Sequence, residues 1–456
     1  MSAHIIDSQF LSRNWQTPEI SEIFSDEHRL QCWLNIEAAL AKVQGELGVI
    51  PKEAALAIVK AAKFENIDMK QYQDEAAGTG HILVPMIRCL QSACPGETGQ
   101  WVHFGATTQD IVDTGNILQM REATQYILQN ILRLEKAILK KASDYKYCVM
   151  AGRTHAQQAS PITLGFKFAT WAAEIRRDIE RIKEFPQRVF MLSLHGAVGT
   201  QAAFGSKAKE ITAGVARELN LTEPPICWAT SRDGIAEFLN TMGILAGTLG
   251  RIANEIFSES STEIGELYEP MGKKTVGSST MPHKRNAGVS QTTVSQSRIV
   301  QTNALLGMIG QVSEHERDLR SWRSEMHQIP ETCVLMGRMS KAMADVLEGL
   351  EVNEKNIRRN IDLLGGLLLT EAVMFRLADK MGKQDAHELL RELTLFQKDE
   401  LTFIERLHAN EKVKACLSDE EIDAIFDYSQ FIGRAPEFVD QVIDYCREKA
   451  NTDPTF

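Results

Sequence analysis

Apolar residues recur at helical spacing along most of the chain. Between positions 115 and 142 they fall three, four or seven residues apart, with charged residues at the other positions. A second stripe runs from about 235 to 257, and further helical runs cover about 160–186, 287–312 and 328–350. No segment alternates between apolar and polar residues for long enough to predict a long strand. The pattern therefore predicts an all-α protein.

The long helices occupy the middle of the chain. Residues 1–112 carry shorter helices that prolines interrupt, and residues 113–364 carry the long ones. After the Gly365-Gly366 break, shorter amphipathic helices run through residues 365–456. We expect three domains with these boundaries, the middle one an elongated bundle of long helices.

Two features of the long helices predict close packing and self-association. Gly243 and Gly247 lie inside the second stripe, where each costs roughly 1 kcal/mol against alanine in an isolated helix. Glycines at these positions make sense if another helix packs very close to that face. Five long helices cannot all bury their apolar faces inside one narrow bundle, so we expect homo-oligomerisation.

Composition narrows the function classes. The 456 residues carry a formal net charge of −11 with no basic arm or face, which argues against nucleic acid as the main partner. The eight cysteines show neither a C-x-x-C pair nor the spacing of metal ligands, so free thiols in a reducing compartment are expected. The N-terminus has no signal-peptide pattern, and no apolar run is long enough to span a membrane. We interpret the chain as a cytoplasmic protein without a membrane partner.

Residues 277–286 read Gly-Ser-Ser-Thr-Met-Pro-His-Lys-Arg-Asn and carry the strongest chemical signal. The small residues supply hydroxyls and free backbone N–H groups, and Pro282 stiffens the turn. Lys284 and Asn286 add a cation and an amide donor. Such a loop can close over an anionic substrate and stabilise developing negative charge. Taken by itself, Gly-Ser-Ser is also typical of an ordinary surface loop.

Two further segments combine hydroxyl, amide and imidazole groups. Residues 105–110 read Gly-Ala-Thr-Thr-Gln-Asp directly before a predicted helix, which suits either a carboxylate-binding site or a plain N-cap. Residues 152–157 read Gly-Arg-Thr-His-Ala-Gln. His155 in this segment is interpreted either as a hydrogen-bonded general acid or as a structural histidine.

Together these segments resemble the signature of the fumarase/aspartase superfamily. Its three separated blocks correspond here to residues 104–114, 152–165 and 277–286, in the right order, and the similarity extends over essentially the whole chain. The resemblance implies an all-α, three-domain fold with a central long-helix bundle. It also implies a homotetramer whose active sites are shared between subunits, a small dicarboxylate or tricarboxylate substrate, and no metal or redox cofactor.

The resemblance also assigns roles that the residue types can fill. Ser278 would be the base that removes a carbon-bound proton, activated by backbone N–H groups and nearby cations when the loop closes. Lys284 and Asn286 would hold the carboxylate that becomes the aci-carboxylate dianion. His155 would protonate the leaving group, with His81 near it. The further substrate contacts that the resemblance implies are Thr107, Thr108, Gln109, Thr154, Gln157, Arg232, Ser279, Met281 and Arg317.

Two branches of the superfamily compete, and the sequence departs from both. The segment around Pro18 resembles the start of adenylosuccinate lyase. That enzyme has an Arg-Tyr pair just upstream that helps to bind the nucleotide phosphate, and here Asn14 and Trp15 take these positions. Losing a charge-assisted phosphate contact typically costs more than about 1.5 kcal/mol, which argues against a nucleotide.

The 3-carboxy-cis,cis-muconate cycloisomerase branch fits better around residues 315–317 with Trp322 and Glu325. The histidines fit it less well. Bacterial members of that branch often carry tryptophan in place of His155, and they lack the Thr-x-His arrangement that ends at His81. Both histidines resemble those of the C–N lyases, which lie near the leaving nitrogen.

The leading hypothesis is anti-β-elimination of an amine from an N-substituted aspartate, with release of fumarate through an aci-carboxylate intermediate. Cycloisomerisation of 3-carboxy-cis,cis-muconate is the alternative, and cleavage of adenylosuccinate is the third. A crystallin-like structural protein is a hypothesis of a different class. The joint presence of Ser278, Lys284, Asn286 and His155 argues against it, because a purely structural protein has no need to keep these four residues together.

Overall fold

The computed structural model describes residues 3–272, 276–395 and 400–454. Helices dominate these residues and the strands are few and short, so the all-α prediction is confirmed. In the described part of the chain, no helix combines the length and the apolar character that crossing a membrane requires. All eight cysteines are free thiols, as their spacing predicts.

The N-terminal part is made of short helices packed around one longer helix, α2. Ser25 caps α2 by accepting a hydrogen bond from the backbone N–H of His28 at 3.1 Å. The helices here are α1 (Pro18–Ile23), α2 (Asp26–Glu46), α3 (Lys52–Ala61), α4 (Met69–Thr79) and α5 (Val84–Ala93), with short 3-10 turns at Ser12–Asn14, Phe64–Asn66 and Gly96–Trp101.

Five long helices, α6, α7, α10, α11 and α12, pack side by side as the central bundle. The helices of this part are α6 (Thr108–Asp144), α7 (Leu164–Lys183), α8 (Phe185–Arg188), α9 (Ala208–Glu218), α10 (Asp233–Glu259), α11 (Gly288–Ile309), α12 (Leu319–Gly349) and α13 (Glu354–Ile361), with a 3-10 turn at Ala202–Lys207. The strands are β1 (Val149–Thr154), β2 (Gln157–Thr163), β3 (Leu267–Tyr268) and β4 (Glu351–Val352).

The glycines of α10 lie where α11 approaches most closely. A Cβ built on Gly243 would lie 2.9 Å from Ala304 Cβ, and one built on Gly250 would lie 2.6 Å from Ser297 Oγ. The predicted close helix neighbour is therefore confirmed. On their outer surface, the same two helices expose apolar side chains such as Leu305, which is 51% exposed. This uncovered apolar surface is what the expectation of self-association requires.

Two antiparallel ribbons interrupt the helical pattern, and the sequence pattern missed both. β1 pairs with β2 from Val149 opposite Thr163 to Thr154 opposite Gln157, and β3 pairs with β4. Helix α7 therefore begins at Leu164 rather than near 160, because the preceding residues belong to β2. Helix α12 begins earlier than predicted, at Leu319.

The C-terminal part has its own small hydrophobic core, yet its last helix returns to the bundle. Its helices are α14 (Thr370–Met381), α15 (Lys383–Leu395), α16 (Phe403–Ala409), α17 (Glu411–Lys414), α18 (Asp419–Ile425) and α19 (Ala435–Ala450), with 3-10 turns at Leu367–Leu369 and Tyr428–Phe431. α19 packs against α7, and Asp453 just beyond it forms an ion pair with the buried Arg176 at 2.8 Å. We keep the three-domain division as a proposal, with α19 as a strap from the third domain to the second.

Candidate active site

The loop at 276–287 folds back on itself around Ser278. The Ser278 Oγ accepts hydrogen bonds from the backbone N–H groups of Thr280 at 3.3 Å and Met281 at 3.0 Å. Two donors on one oxygen stabilise an alkoxide more than a neutral hydroxyl, because charge-assisted hydrogen bonds are stronger. The loop thus supplies the backbone donors that a serine base requires.

Contacts between the two ends of the loop hold this turn closed. Asn286 Nδ2 donates to the carbonyl oxygen of Gly277 at 2.6 Å, and the Lys284 N–H donates to the carbonyl of Met281 at 3.0 Å. A Cβ at Gly277 would clash with the carbonyl oxygen of Lys284, so the close approach of the two ends requires glycine. Lys284, Ser279 and Met281 are themselves exposed, which leaves their side chains accessible to a ligand.

Two glutamates outside the motif anchor the loop to the rest of the chain. Glu351 accepts two hydrogen bonds from the Arg285 guanidinium, at 2.9 and 2.8 Å. Glu269 accepts from the backbone N–H groups of Val289 at 3.2 Å and Ser290 at 2.6 Å, and so caps the N-terminus of α11. The C-terminal end of the loop is therefore fixed beside the β3–β4 ribbon.

His155 lies at the tip of the β1–β2 hairpin, where the backbone is strained. His155 and Ala156 have φ angles of 52° and 62°, a conformation that a two-residue hairpin turn normally obtains from Asn-Gly. Left-handed backbone at residues other than glycine costs energy and is typical of functional sites. Thr154, His155 and Gln157 are exposed at this tip.

A buried clamp at the base of the hairpin positions its tip. Arg153 donates to both carboxylate oxygens of Glu266, at 3.0 and 2.6 Å, and Asn360 Nδ2 donates to the same carboxylate at 2.7 Å. Glu266 is fully buried. Because Arg153 is only two residues from His155, this bidentate pair limits where the imidazole can move.

The first block forms the N-terminus of α6. Asp110 accepts hydrogen bonds from the backbone N–H groups of Thr107 at 3.0 Å, His195 at 2.8 Å and Gly196 at 3.0 Å. Burial raises the pKa of Asp110 to about 6, although these three donors oppose the rise. Thr107 and Thr108 are half-buried at this helix end, whose free N–H groups favour an anion. The segment is both an N-cap and a carboxylate-binding candidate.

A buried ion-pair network occupies the next turn of α6. Arg232 donates to Asp113 at 2.8 and 3.1 Å and to Glu325, with its Nε at 2.9 Å. Asp113 also accepts from Trp322 Nε1 at 2.8 Å and from Gln109 Nε2 at 3.0 Å. All five side chains are buried. Burial lowers the pKa of Arg232, but the two carboxylates raise it by more than burial lowers it. The side chain is therefore permanently charged.

This network changes the interpretation of two predicted substrate contacts. The guanidinium of Arg232 directs every nitrogen to an acceptor of the protein, and Gln109 directs its Nε2 to Asp113 and to the carbonyl of Ala229 at 2.8 Å. We therefore propose a positioning role for both residues in place of substrate contact. Arg317 is exposed and donates to the carbonyl of Ala197 at 2.9 Å, beside the segment that Asp110 holds.

The other predicted histidine, His81, caps helix α5. Its Nδ1 accepts from the backbone N–H groups of Leu83 at 3.2 Å and Val84 at 3.1 Å. Neutral His81 therefore carries its proton on Nε2, because a nitrogen that accepts two hydrogen bonds is unprotonated. The side chain is exposed, and its Nε2–H is a donor that a substrate can reach.

Within one chain the length of α6 separates the first block from the second. Helix α6 has 37 residues and is about 55 Å long, with Thr108 at its start. His155 lies 11 residues beyond the end of α6, and a fully extended segment of that length reaches at most about 40 Å. The Cα atoms of Thr108 and His155 are therefore at least roughly 15 Å apart, a distance close to the longest that two side chains can bridge through one small dicarboxylate.

Several residues that organise the site were missed in the sequence analysis. Asp110 could have been found, because an acidic residue three positions after Thr107 is the capping-box signal. Glu266, Glu269 and Glu351 carry no local sequence signal, since each acts on a segment distant in sequence or across a turn.

Comparisons with known proteins agree with the three blocks. A family model described as "Lyase" matches residues 12–300, and one described as "Adenylosuccinate lyase C-terminus" matches residues 366–442. The chain is 40% identical over 445 residues to N-acetyl-S-(2-succino)cysteine lyase of Enterococcus italicus, covering 97% of both chains. It is 38% identical over 454 residues to adenylosuccinate lyase of Methanocaldococcus jannaschii, covering 98% of this chain and 97% of that one.

Among solved structures, the chain resembles 3-carboxy-cis,cis-muconate lactonizing enzyme from Pseudomonas putida. The TM-score is 0.90 and the sequence identity 33%, covering 97% of this chain and 100% of the other. The three relatives differ in the reaction that their names describe, although they share one fold. The branch must therefore be argued from the residues that face the substrate.

Proposed function

The chain belongs to the fumarase/aspartase superfamily of lyases, and on this premise we propose that it removes a substituent from a succinyl-bearing substrate by anti-β-elimination and releases fumarate. The observation that carries the proposal is the pair of backbone N–H groups that hold Ser278 Oγ. Removing a proton from carbon needs a strong base, and these donors stabilise the alkoxide form of the serine. The succino unit named in both lyase relatives supports the predicted succinyl substrate.

The loop binds one carboxylate of the substrate, and the N-terminus of α6 binds the other. As Ser278 takes the proton, charge moves onto the neighbouring carboxylate, and the exposed Lys284 lies in the same loop to hold the aci-carboxylate. Asn286 keeps the loop closed through Gly277, and its amide contacts the substrate in the role that the family assigns. Thr107 and Thr108 hold the second carboxylate at the start of α6.

The branches of the superfamily differ in the group that leaves the substrate. We predicted an amine, as in an N-substituted aspartate, and the adenylosuccinate lyase relative fits that prediction. The relative at 40% identity is named for a substrate whose succino unit is bonded to the sulfur of an N-acetylated cysteine. We therefore propose this thioether class as the first substrate to test. Asn14 and Trp15 place no cation where adenylosuccinate lyase binds its phosphate, which favours a substrate without a nucleotide.

A substrate panel tests this proposal directly. The protein is incubated with N-acetyl-S-(2-succino)cysteine, an N-succinyl amine, adenylosuccinate and 3-carboxy-cis,cis-muconate, and fumarate and lactone are measured. Fumarate from the thioether or the succinyl amine supports the proposed function. Lactone without fumarate would instead establish the cycloisomerase alternative. A folded protein that turns over none of the four would favour the crystallin-like hypothesis.

His155→Gln should slow the release of an amine far more than the release of a thiol. An amine leaves as a strong base unless it is protonated, so losing the general acid should cost about 10² to 10⁴-fold in kcat. A cysteine thiol has a pKa of about 8.5, so its thiolate leaves without being protonated. With the thioether substrate, kcat of the variant should therefore fall by less than about 10-fold. Comparing kcat for the succinyl amine and the thioether in the same variant measures this. Equal losses would reject the general-acid role.

Gly277→Ala should lower activity by about 10²-fold without changing thermal stability. The added Cβ clashes with the Lys284 carbonyl, so the loop must open and Ser278 moves by about 1 Å or more. Gly288→Ala is the matched control, because a Cβ at Gly288 meets no atom within 4 Å. We expect kcat/KM of the control to stay close to that of the native protein. Full activity in Gly277→Ala would show that the closed turn is not needed.

We also propose a cytoplasmic homotetramer with sites shared between subunits. Thr108 and His155 lie at least roughly 15 Å apart in one chain, which favours a site in which a second subunit supplies one of them. The apolar outer surface of α10 and α11, including Ile244 at 48% and Ile309 at 60% exposed, fits an interface of that kind. Native mass measured by light scattering tests this. A monomer that retains full activity would refute the shared site.

A further inference from the structure

A histidine, a cysteine and a glutamate meet between α2 and α6, away from the three blocks. His28 and Cys32 are four residues apart on α2 and so share one helix face. Glu122 lies opposite them on α6, and its Oε2 is 2.7 Å from His28 Nε2. The three potential ligand atoms all lie within 4.8 Å of one another. Glu122 is 14 residues beyond Thr108, which places the cluster about 21 Å along α6 from the first block.

We propose that His28, Cys32 and Glu122 form a binding site for a zinc-like transition-metal cation. One imidazole nitrogen, one thiolate and one carboxylate are the ligand types that Zn²⁺ takes in proteins, and calcium or magnesium would not choose a thiolate. Tetrahedral zinc ligands lie roughly 3.5 Å from one another, so rotations of the three side chains suffice to close the present spacing around an ion.

The surroundings of the cluster favour a cation. Glu122 contributes a carboxylate 2.7 Å from the His28 ring, so the cluster already pairs an imidazole with a negative charge. A divalent ion would bind the neutral imidazole and the thiolate, and the protons that these groups release would pass to solvent. No oxidation or reduction accompanies this exchange.

The geometry also determines the kind of site. The helix cap at Ser25 fixes the backbone of His28, and the packing of α2 on α6 fixes the distance to Glu122. Cys32 is only 2% exposed, whereas the side chains of His28 and Glu122 are 30% and 34% exposed. Three protein ligands with one solvent-facing side leave the fourth position to water. We expect one ion per chain, joining the N-terminal helices to the central bundle.

Cobalt and zinc titrations of the chelator-treated full-length protein test the proposal. Co²⁺ should bind one equivalent per chain with a thiolate charge-transfer band and the intense visible bands of tetrahedral cobalt. Cys32→Ser should abolish the charge-transfer band. Since even losing a residue behind the ligands costs 10 to 100-fold in affinity, His28→Gln and Glu122→Gln should each weaken Zn²⁺ binding by about 100-fold or more.

Cys89→Ser is the matched control, because Cys89 is equally buried on another helix. It should leave the cobalt spectrum and the zinc affinity unchanged. Zn²⁺ should also raise the melting temperature of the native protein and of Cys89→Ser but not of Glu122→Gln, whose amide is isosteric and keeps the fold. A cobalt–thiolate band that survives in Cys32→Ser would overturn the proposal. The proposal would also be overturned if the native protein bound Zn²⁺ no more tightly than the three ligand variants. His28 and Glu122 would then form an ordinary ion pair.

Discussion

Replacing Ser278 by alanine should lower kcat by about 10³-fold or more while KM and the melting temperature stay nearly unchanged. The hydroxyl oxygen is the atom that the two backbone N–H groups of the loop hold, and alanine leaves those donors without a partner but exposed to water. Steady-state kinetics with the best substrate of the panel, beside a thermal melt, measure the effect.

Ser279→Ala is the control for this variant. Its hydroxyl is exposed one residue away, and as a substrate contact it should cost less than about 10-fold. Co-expression supplies a second check. Assayed with the succinyl amine, on which both single variants should be impaired, mixed oligomers of Ser278→Ala and His155→Gln subunits should regain part of the activity if each site draws these residues from different subunits. Near-native kcat in Ser278→Ala alone would remove serine from the mechanism.

Periodicity predicted the long helices because they bury one face against neighbours. In α6, Ile117, Met120 and Ile127 recur at helical spacing and are all fully buried. The β1–β2 hairpin gave no such signal. Its strand β1 is buried at three consecutive residues rather than alternately, and its turn uses His155-Ala156 in place of a recognisable Asn-Gly pair. The proposed role of His155, and not the turn propensity of these two residues, therefore explains the turn.

The residues of the candidate site also differ in how far the sequence could predict their roles. The loop around Ser278 could be recognised from its residues because its chemistry is contiguous in sequence. The buried ion pairs of Arg232 could not be predicted, since its partners Asp113 and Glu325 are 119 and 93 residues away. A charged residue in a sequence predicts a substrate contact as readily as a buried ion pair, and only the fold separates the two.

Arg232→Met should destabilise the protein by roughly 3 to 5 kcal/mol. The variant keeps the volume of the side chain but leaves the carboxylates of Asp113 and Glu325 buried without their cation. Arg188→Met is the matched control, because Arg188 pairs with Glu237 at the surface and is 48% exposed. Such a surface pair contributes less than about 1 kcal/mol. Urea unfolding of both variants at the same pH compares them.

The deficit of Arg232→Met should shrink as the pH falls. Burial already raises the pKa of Glu325 in the native protein, and Arg232 opposes that rise. Without Arg232 the folded-state pKa of this carboxyl lies further above its unfolded value, so the folded state binds the proton more tightly. Stability is then lost as the pH rises between the two values and regained below them. Adding Glu325→Gln and Asp113→Asn should restore much of the stability at neutral pH, since neutral amides need no cation. An unfolding midpoint equal to that of the native protein at every pH would show that water, and not Arg232, neutralises these carboxylates.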